Sequence, residues 1–189
     1  NIFLPSLLLL LGFTSASYFT NLSASILLFA IIAGTLSTSL MSALISSDSM
    51  RYYVFLPVSM ASHIIPKMVL SLTVGGSYGL VLLIAYALIN DQLAFLFQAV
   101  VLYFGFFLYN LGISFYLSGL NPYEYLLSAR IFVIYALLLV PVLIVAMILS
   151  LVIAQMVLVF VGVGLLQGLG AYIALRKGFS KWQAMDEIR

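Results

Sequence analysis

The 189-residue chain is 65% hydrophobic and only 6% charged, with a mean hydropathy of +1.27 and a formal net charge of +2. Soluble domains carry about a quarter charged residues, so this composition excludes a soluble enzyme and leaves no basic footprint for nucleic acid; it reads as an integral membrane protein. Cysteine is absent, which excludes disulfides and thiolate metal sites.

All seven Lys and Arg residues fall in three places, Arg51 to Lys67, Arg130, and Arg176 to Arg189. Basic residues flank the cytoplasmic ends of spanning helices, so each basic-free interval is expected to leave the cytoplasm and return to it. Three such intervals predict six spans, both termini cytoplasmic, in the cell membrane. Six spans of about 20 residues leave no room for a soluble domain. The predicted fold is all-α: a polytopic membrane helical bundle of six transmembrane helices forming a single transmembrane domain over residues 1–189.

In chain order, the first span runs from Ile2 to Ser17, with its cytoplasmic end expected upstream of Asn1 because the run is short for about 30 Å of hydrocarbon. The loop Tyr18 to Ser23 is expected outside; Asn21-Leu22-Ser23 matches a glycosylation acceptor, a triplet common by chance. Span two, Ala24 to Ile45, carries the hydroxyls of Ser25, Thr35, Ser37, Thr38, Ser39 and Ser42, which suit close helix packing or a substrate-lining face. An inner loop follows from Ser46 to Pro66. Span three, Lys67 to Ile89, holds Gly75, Gly76 and Gly79, which permit close backbone approach, and ends at the outward turn Asn90-Asp91-Gln92.

Span four, Leu93 to Leu117, buries the amides of Gln98 and Asn110, for which interhelical hydrogen bonds are expected. A turn at Ser118 to Pro122 returns the chain to the cytoplasmic face at Arg130. The next apolar stretch, Ile131 to Leu175, is 45 residues long. As one straight helix it would extend about 67 Å, over twice the hydrocarbon thickness, so it must fold back. The reversal is expected near Ser150 to Gln155, as a short outer hairpin built from short helical pieces covered by protein. In span six, Gly164 and Gly168 form a small-xxx-small pair, read as helix packing within the bundle or as a subunit interface. Arg176, Lys177, Phe179, Lys181 and Trp182 then form an anchor at the inner interface.

The inventory argues against catalysis. The carboxylates Asp48, Asp91, Glu124, Asp186 and Glu187 all fall in or beside loops, His63 is the sole imidazole, and no metal site or catalytic set assembles from them. An ion-coupled carrier would need ionisable groups or broken helices at mid-span, and only Pro141 hints at a break. If the helices move something across the membrane, the energy is expected to come from another subunit; a secondary transporter and a non-catalytic membrane assembly protein stand as alternatives.

The inner loop is the most distinctive segment. Asp48, Arg51, Tyr52 and Tyr53 lead into Phe55-Leu56-Pro57-Val58-Ser59, followed by His63-Ile64-Ile65-Pro66-Lys67 at the next span. This resembles the cytoplasmic coupling region of the type-two ABC exporter permeases, in which a charged segment, an aromatic-Leu-Pro-hydroxyl turn and an apolar-apolar-x-Lys entry follow one another. Met60, Ala61 and Ser62 stand here where family members often carry a basic residue. The resemblance implies a permease subunit of an ATP-driven exporter that moves a hydrophobic or amphipathic substrate (peptide, lipid or drug) by alternating access. It further implies an ABC ATP-binding subunit and a second permease chain, identical or related, as partners within membrane lipid. Asp48, Arg51, Tyr52, Tyr53, Phe55, Leu56, Pro57, Val58 and Ser59 would be the coupling loop, and ATP and magnesium would belong to the partner, with no cofactor held by this chain.

Overall fold

The computed structural model describes residues 25–45, 60–118, 129–152 and 157–187, and all of these are helical apart from a turn at 90–92. The helices are α1 (Ser25–Ile45), α2 (Met60–Leu70), α3 (Gly76–Ile89), α4 (Leu96–Ser118), α5 (Ala129–Val152) and α6 (Val157–Glu187). A π turn, Ser71–Gly75, joins α2 to α3 without a break, and a 3-10 turn, Leu93–Phe95, leads into α4. An all-helical outcome follows from the composition, because a helix satisfies its backbone polar groups within one segment and needs no water.

Four helical segments are long and apolar enough to cross a membrane: Ile65–Ile89, Leu93–Leu117, Ala129–Ala146 and Leu158–Lys181. Six spans are not found among the described residues. The first expected span, 2–17, lies outside them, and the second corresponds to α1, whose apolar part Ser25–Thr38 is shorter than the other four. The helix containing Lys67 begins at Met60, seven residues ahead of the expected start, so Pro66 lies inside it and not in a loop. The apolar stretch is described as two long helices, α5 and α6; residues 153–156, where most of the expected outer hairpin falls, lie outside the described residues.

The core gathers around α1, which is buried on every face from Ser25 to Ile31 and packs against α3 and α4. Phe29 of α1 stacks on Tyr86 of α3 with ring centroids 4.6 Å apart. Leu83, Leu102, Tyr103 and Phe106 complete this layer, with Ala146 of α5 and Phe160 of α6 joining its edge. By contrast, only 11% of the α5 span and 17% of the α6 span is buried, and Phe132, Leu137, Leu165 and Leu166 stand more than half exposed. An apolar surface of this extent is suited to lipid or to another subunit, not to water.

Three local devices set the packing. At the 90–92 turn, the Gln92 side-chain oxygen accepts hydrogen bonds from Ile26 N (2.8 Å) and Ser25 Oγ (3.0 Å), capping the first turn of α1 from a distant part of the chain. Asp91 turns the chain there with φ 53°, a left-handed conformation that short polar side chains tolerate. At the π turn, Tyr103 donates to the carbonyls of Gly75 and Gly76, each at 3.0 Å, while Gly79 one turn on leaves room for its ring. A Cβ at Gly79 would lie 2.3 Å from the Tyr103 hydroxyl.

The third device is the seam between α4 and α6, the most extensive helix pair among the described residues. A Cβ at Gly105 would lie 3.2 Å from the Cα of Gly164, and one at Gly112 would lie 3.1 Å from the Cα of Ala171. Small residues thus recur every seven positions on both helices, at 105 and 112 on α4 and at 164, 171 and 178 on α6. That repeat keeps one narrow face of each helix against the other and lets the backbones approach. Gly168, the other half of the expected small-xxx-small pair, is not on this seam, and a Cβ there would meet nothing within 4 Å. Gly112→Val is therefore expected to force α4 and α6 apart at a cost of about 1–3 kcal/mol, whereas Gly168→Val should leave the bundle near its original stability. Thermal unfolding of both variants in detergent, followed by gel-filtration recovery, checks the contrast; equal losses would remove the seven-residue seam as the packing element.

Candidate functional site

The predicted coupling loop, Asp48, Arg51, Tyr52, Tyr53, Phe55, Leu56, Pro57, Val58 and Ser59, lies outside the described residues. What is described is its exit. Helix α2 starts at Met60, directly after Ser59, and leads through Pro66 and Lys67 to the π turn. Pro66 has no N–H to offer the preceding turn, and the π turn begins five residues later, so the first part of this span is held by a weakened helical ladder.

The same end of the bundle collects the cations. Asn110 of α4 bonds Tyr135 of α5 and Thr35 of α1, and Phe115 of α4 packs at 4.9 Å on Phe179 of α6, which fixes the direction of each helix. Lys67 in α2, Arg130 at the start of α5, and Arg176, Lys177 and Lys181 near the end of α6 therefore share one end, opposite Ser25 and Gln92. Lys181 Nζ donates to the Tyr116 carbonyl (3.2 Å) and lies 5.5 Å above the Tyr116 ring. Met68 of α2, Leu111 and Phe115 of α4, and Leu175 and Phe179 of α6 form a small apolar cluster beneath these cations. The cluster joins the helix leaving the loop to the α4–α6 pair.

Deeper in the bundle sits a polar network. Asn110 Nδ2 donates to the Thr35 carbonyl (2.9 Å) and to the Thr38 hydroxyl, Tyr135 donates its hydroxyl to Asn110 Oδ1, and Thr38 donates back to the Thr35 carbonyl (2.8 Å). One amide thereby ties α1, α4 and α5 together at 1% exposure. The interhelical bond expected of Asn110 is present; its partner Tyr135 was not foreseen, although a tyrosine inside an apolar run signals a hydroxyl in need of a partner. Gln98 is also buried in α4.

Among the glycines expected to serve helix packing, Gly75 and Gly76 present their carbonyls to Tyr103, Gly79 faces Tyr103 and Ser37, and Gly164 faces Val101 and Gly105. Gly168 faces open space. Between α4, α5 and α6 a groove of about 460 Å³ opens, with Tyr109, Pro141, Val145, Leu166, Gln167 and Gly170 among its walls. Among the described residues no group of three or more metal-ligating side chains occurs. No family model, no characterised protein and no solved structure matches the chain.

The Asn110 network carries its own prediction. Asn110→Leu and Tyr135→Phe should each destabilise the bundle, and the double variant should lose less than their sum, with a coupling of about 0.5–1.5 kcal/mol, the range found for polar pairs in membrane bundles. A double-mutant cycle on detergent-unfolding midpoints measures it; strict additivity would mean that the two residues act separately.

Proposed function

We propose that this chain is the membrane permease subunit of an ATP-driven exporter of the ABC type, moving a hydrophobic or amphipathic substrate by alternating access with a second permease and two ATP-binding subunits. The observation that carries this reading is the junction between the Leu56-Pro57-Val58-Ser59 motif and α2, which begins at the very next residue and enters the basic end of the bundle. A push received by the loop would pass along α2 to Met68 and from there to Phe115 and Phe179. The spans support an external energy source, since no Asp or Glu lies within any of the four. An ion-driven carrier would be expected to hold such a group at mid-depth.

In this reading the bundle has six spans, 2–17 and α1 supplying the first two, with both termini cytoplasmic. The clustering of Lys67, Arg130, Arg176, Lys177 and Lys181 at one end supports that orientation. The absence of native cysteine makes a direct test clean. A single cysteine at Asp91 should react with an impermeant thiol reagent from outside intact cells and one at Ser180 should not; the reverse pattern overturns the orientation.

Coupling is tested by replacing Phe55 and Leu56 with Ala. The double variant should insert normally, because neither residue belongs to a span, yet lose about tenfold or more in affinity for its ATPase or in transport per ATP hydrolysed. Co-purification and ATP-driven transport in vesicles read both quantities. Unchanged values with normal insertion would remove the loop as a coupling element, and ion-gradient-driven transport by the chain alone would replace the exporter with a secondary carrier.

A further inference from the structure

Near the basic end, helix α6 carries its cations on two different sides. A Cβ at Gly178 would lie 2.5 Å from the Phe115 ring, so that side is pressed against α4, and Lys181 joins it by donating to the Tyr116 carbonyl. Arg176 and Ser180, two positions before and after Gly178, fall about 160° away from it around the helix, and both are exposed. They face away from α4. Among the described residues Arg176 makes no hydrogen bond or ion pair, and the Ser180 hydroxyl makes no hydrogen bond. Together with Tyr172, Leu175 and Phe179 these two line an open notch of about 550 Å³, so here the charged side chain is itself part of the lining.

The depth of the notch is set by the span. From Leu158, where the span begins, to Arg176 the helix rises about 27 Å at about 1.5 Å per residue, against about 30 Å of hydrocarbon. The guanidinium therefore stands at the level of the lipid phosphates. Ser180 is one turn further toward water. Tyr172 is one turn back on the hydrocarbon side, where it continues an exposed apolar stripe through Leu169 and Leu165.

We propose that this notch is a binding site for one phospholipid of net negative charge, its phosphate held between Arg176 and Ser180 and one acyl chain laid along Tyr172, Leu169 and Leu165. A guanidinium offers a planar fork of donors that matches two phosphate oxygens at once, and a serine hydroxyl one turn away can donate to a third. A zwitterionic headgroup brings its own ammonium, which offsets the phosphate and is repelled by the guanidinium; an anionic headgroup leaves the full charge for Arg176 to neutralise. The site involves neither an ATP-binding partner nor the direction in which the chain is inserted, so it stands or falls separately from the exporter reading.

The test uses the purified full chain, delipidated in neutral detergent, given equimolar phosphatidylglycerol and phosphatidylcholine of matched acyl chains and read by native mass spectrometry. One phosphatidylglycerol should be retained per chain, with a preference of about tenfold over phosphatidylcholine. Arg176→Gln should bring the preference close to unity, whereas Lys177→Gln, which removes the same charge from a residue outside the notch, should leave it unchanged. Ser180→Glu, at an exposed position, puts a carboxylate where the phosphate would sit and should also abolish the preference, which gives a second reading should Arg176→Gln fail to fold. Excess inorganic phosphate should not displace the lipid, because the acyl chain supplies part of the binding. Lack of preference in the unmodified chain, an unchanged preference in Ser180→Glu, or equal losses in Arg176→Gln and Lys177→Gln would each overturn the proposal, the last by showing diffuse attraction to a basic end. Displacement by inorganic phosphate would overturn it as well, since the notch would then read a bare anion and not a lipid.

Discussion

The contact on which the bundle depends most is the one between Tyr103 and the carbonyls of Gly75 and Gly76. A π turn shifts the backbone register by one residue, and in hydrocarbon there is no water to take up a carbonyl left out of the ladder; each such group costs several kcal/mol. Tyr103 brings a donor to the carbonyls at the end of this turn from a neighbouring helix. It can do so only because Gly79 has no side chain where the tyrosine ring lies and because Gly34 lets α1 come against the backbone of Tyr103 and Phe107. One irregular turn therefore fixes how closely α1, α3 and α4 pack, and the aromatic layer of Phe29, Tyr86 and Phe107 forms around it.

Cohesion elsewhere follows the same logic, because lipid tails are as apolar as Leu and Val and provide no hydrophobic force between helices. What remains is close backbone approach and satisfied polar groups. The α4–α6 seam uses the first through Gly105, Gly112, Gly164 and Ala171. The Asn110 network and the Gln92 cap use the second, each joining elements more than 60 residues apart in sequence where they bridge to α1. Helix α5 has neither a glycine seam nor a large buried face; its ties are Tyr135, Tyr109 and the buried Ala146, so it stands off from α6 and leaves the groove.

Much of the helical layout was legible in the chain. Asn90-Asp91-Gln92 marks its turn by residues that tolerate left-handed backbone, and the apolar stretch after Arg130 had to fold back because a bilayer is only so thick. The need of Asn110 for a partner was equally plain. The seam was not, because attention to four-residue spacing picked out Gly164 and Gly168, whereas a pair of helices lying nearly parallel meets every seven residues. Nor was the start of α2: a proline reads as a loop residue, yet Pro66 is carried inside a helix whose later turns are anchored by Tyr103 and Met68. Tertiary anchoring there overrides a local breaker.

This distribution of anchors divides the molecule by stiffness. From Gly75 onward the third span is stapled by Tyr103, stacked on Phe29 and tied at its far end to the start of α1 by Gln92. Before Gly75 it has Pro66, a π turn and a run of exposed residues, Ile65, Val69, Leu70, Leu72 and Val74, and it is held to the bundle by Met68, by buried Ser71 and by packing of the π turn on α1. A lateral load at Met60, as the proposed coupling demands, would meet less resistance in α2 than in α3. The segment would bend at the π turn, with the Tyr103 staple as the pivot. The displacement would be delivered through Met68 to Leu175 and Phe179 on α6, the helix that forms one wall of the groove. Under the proposed coupling, the packed cluster of Met68, Leu111, Phe115, Leu175 and Phe179 would be the path from the basic end to α6, and the more heavily anchored α3 and α1 would move less.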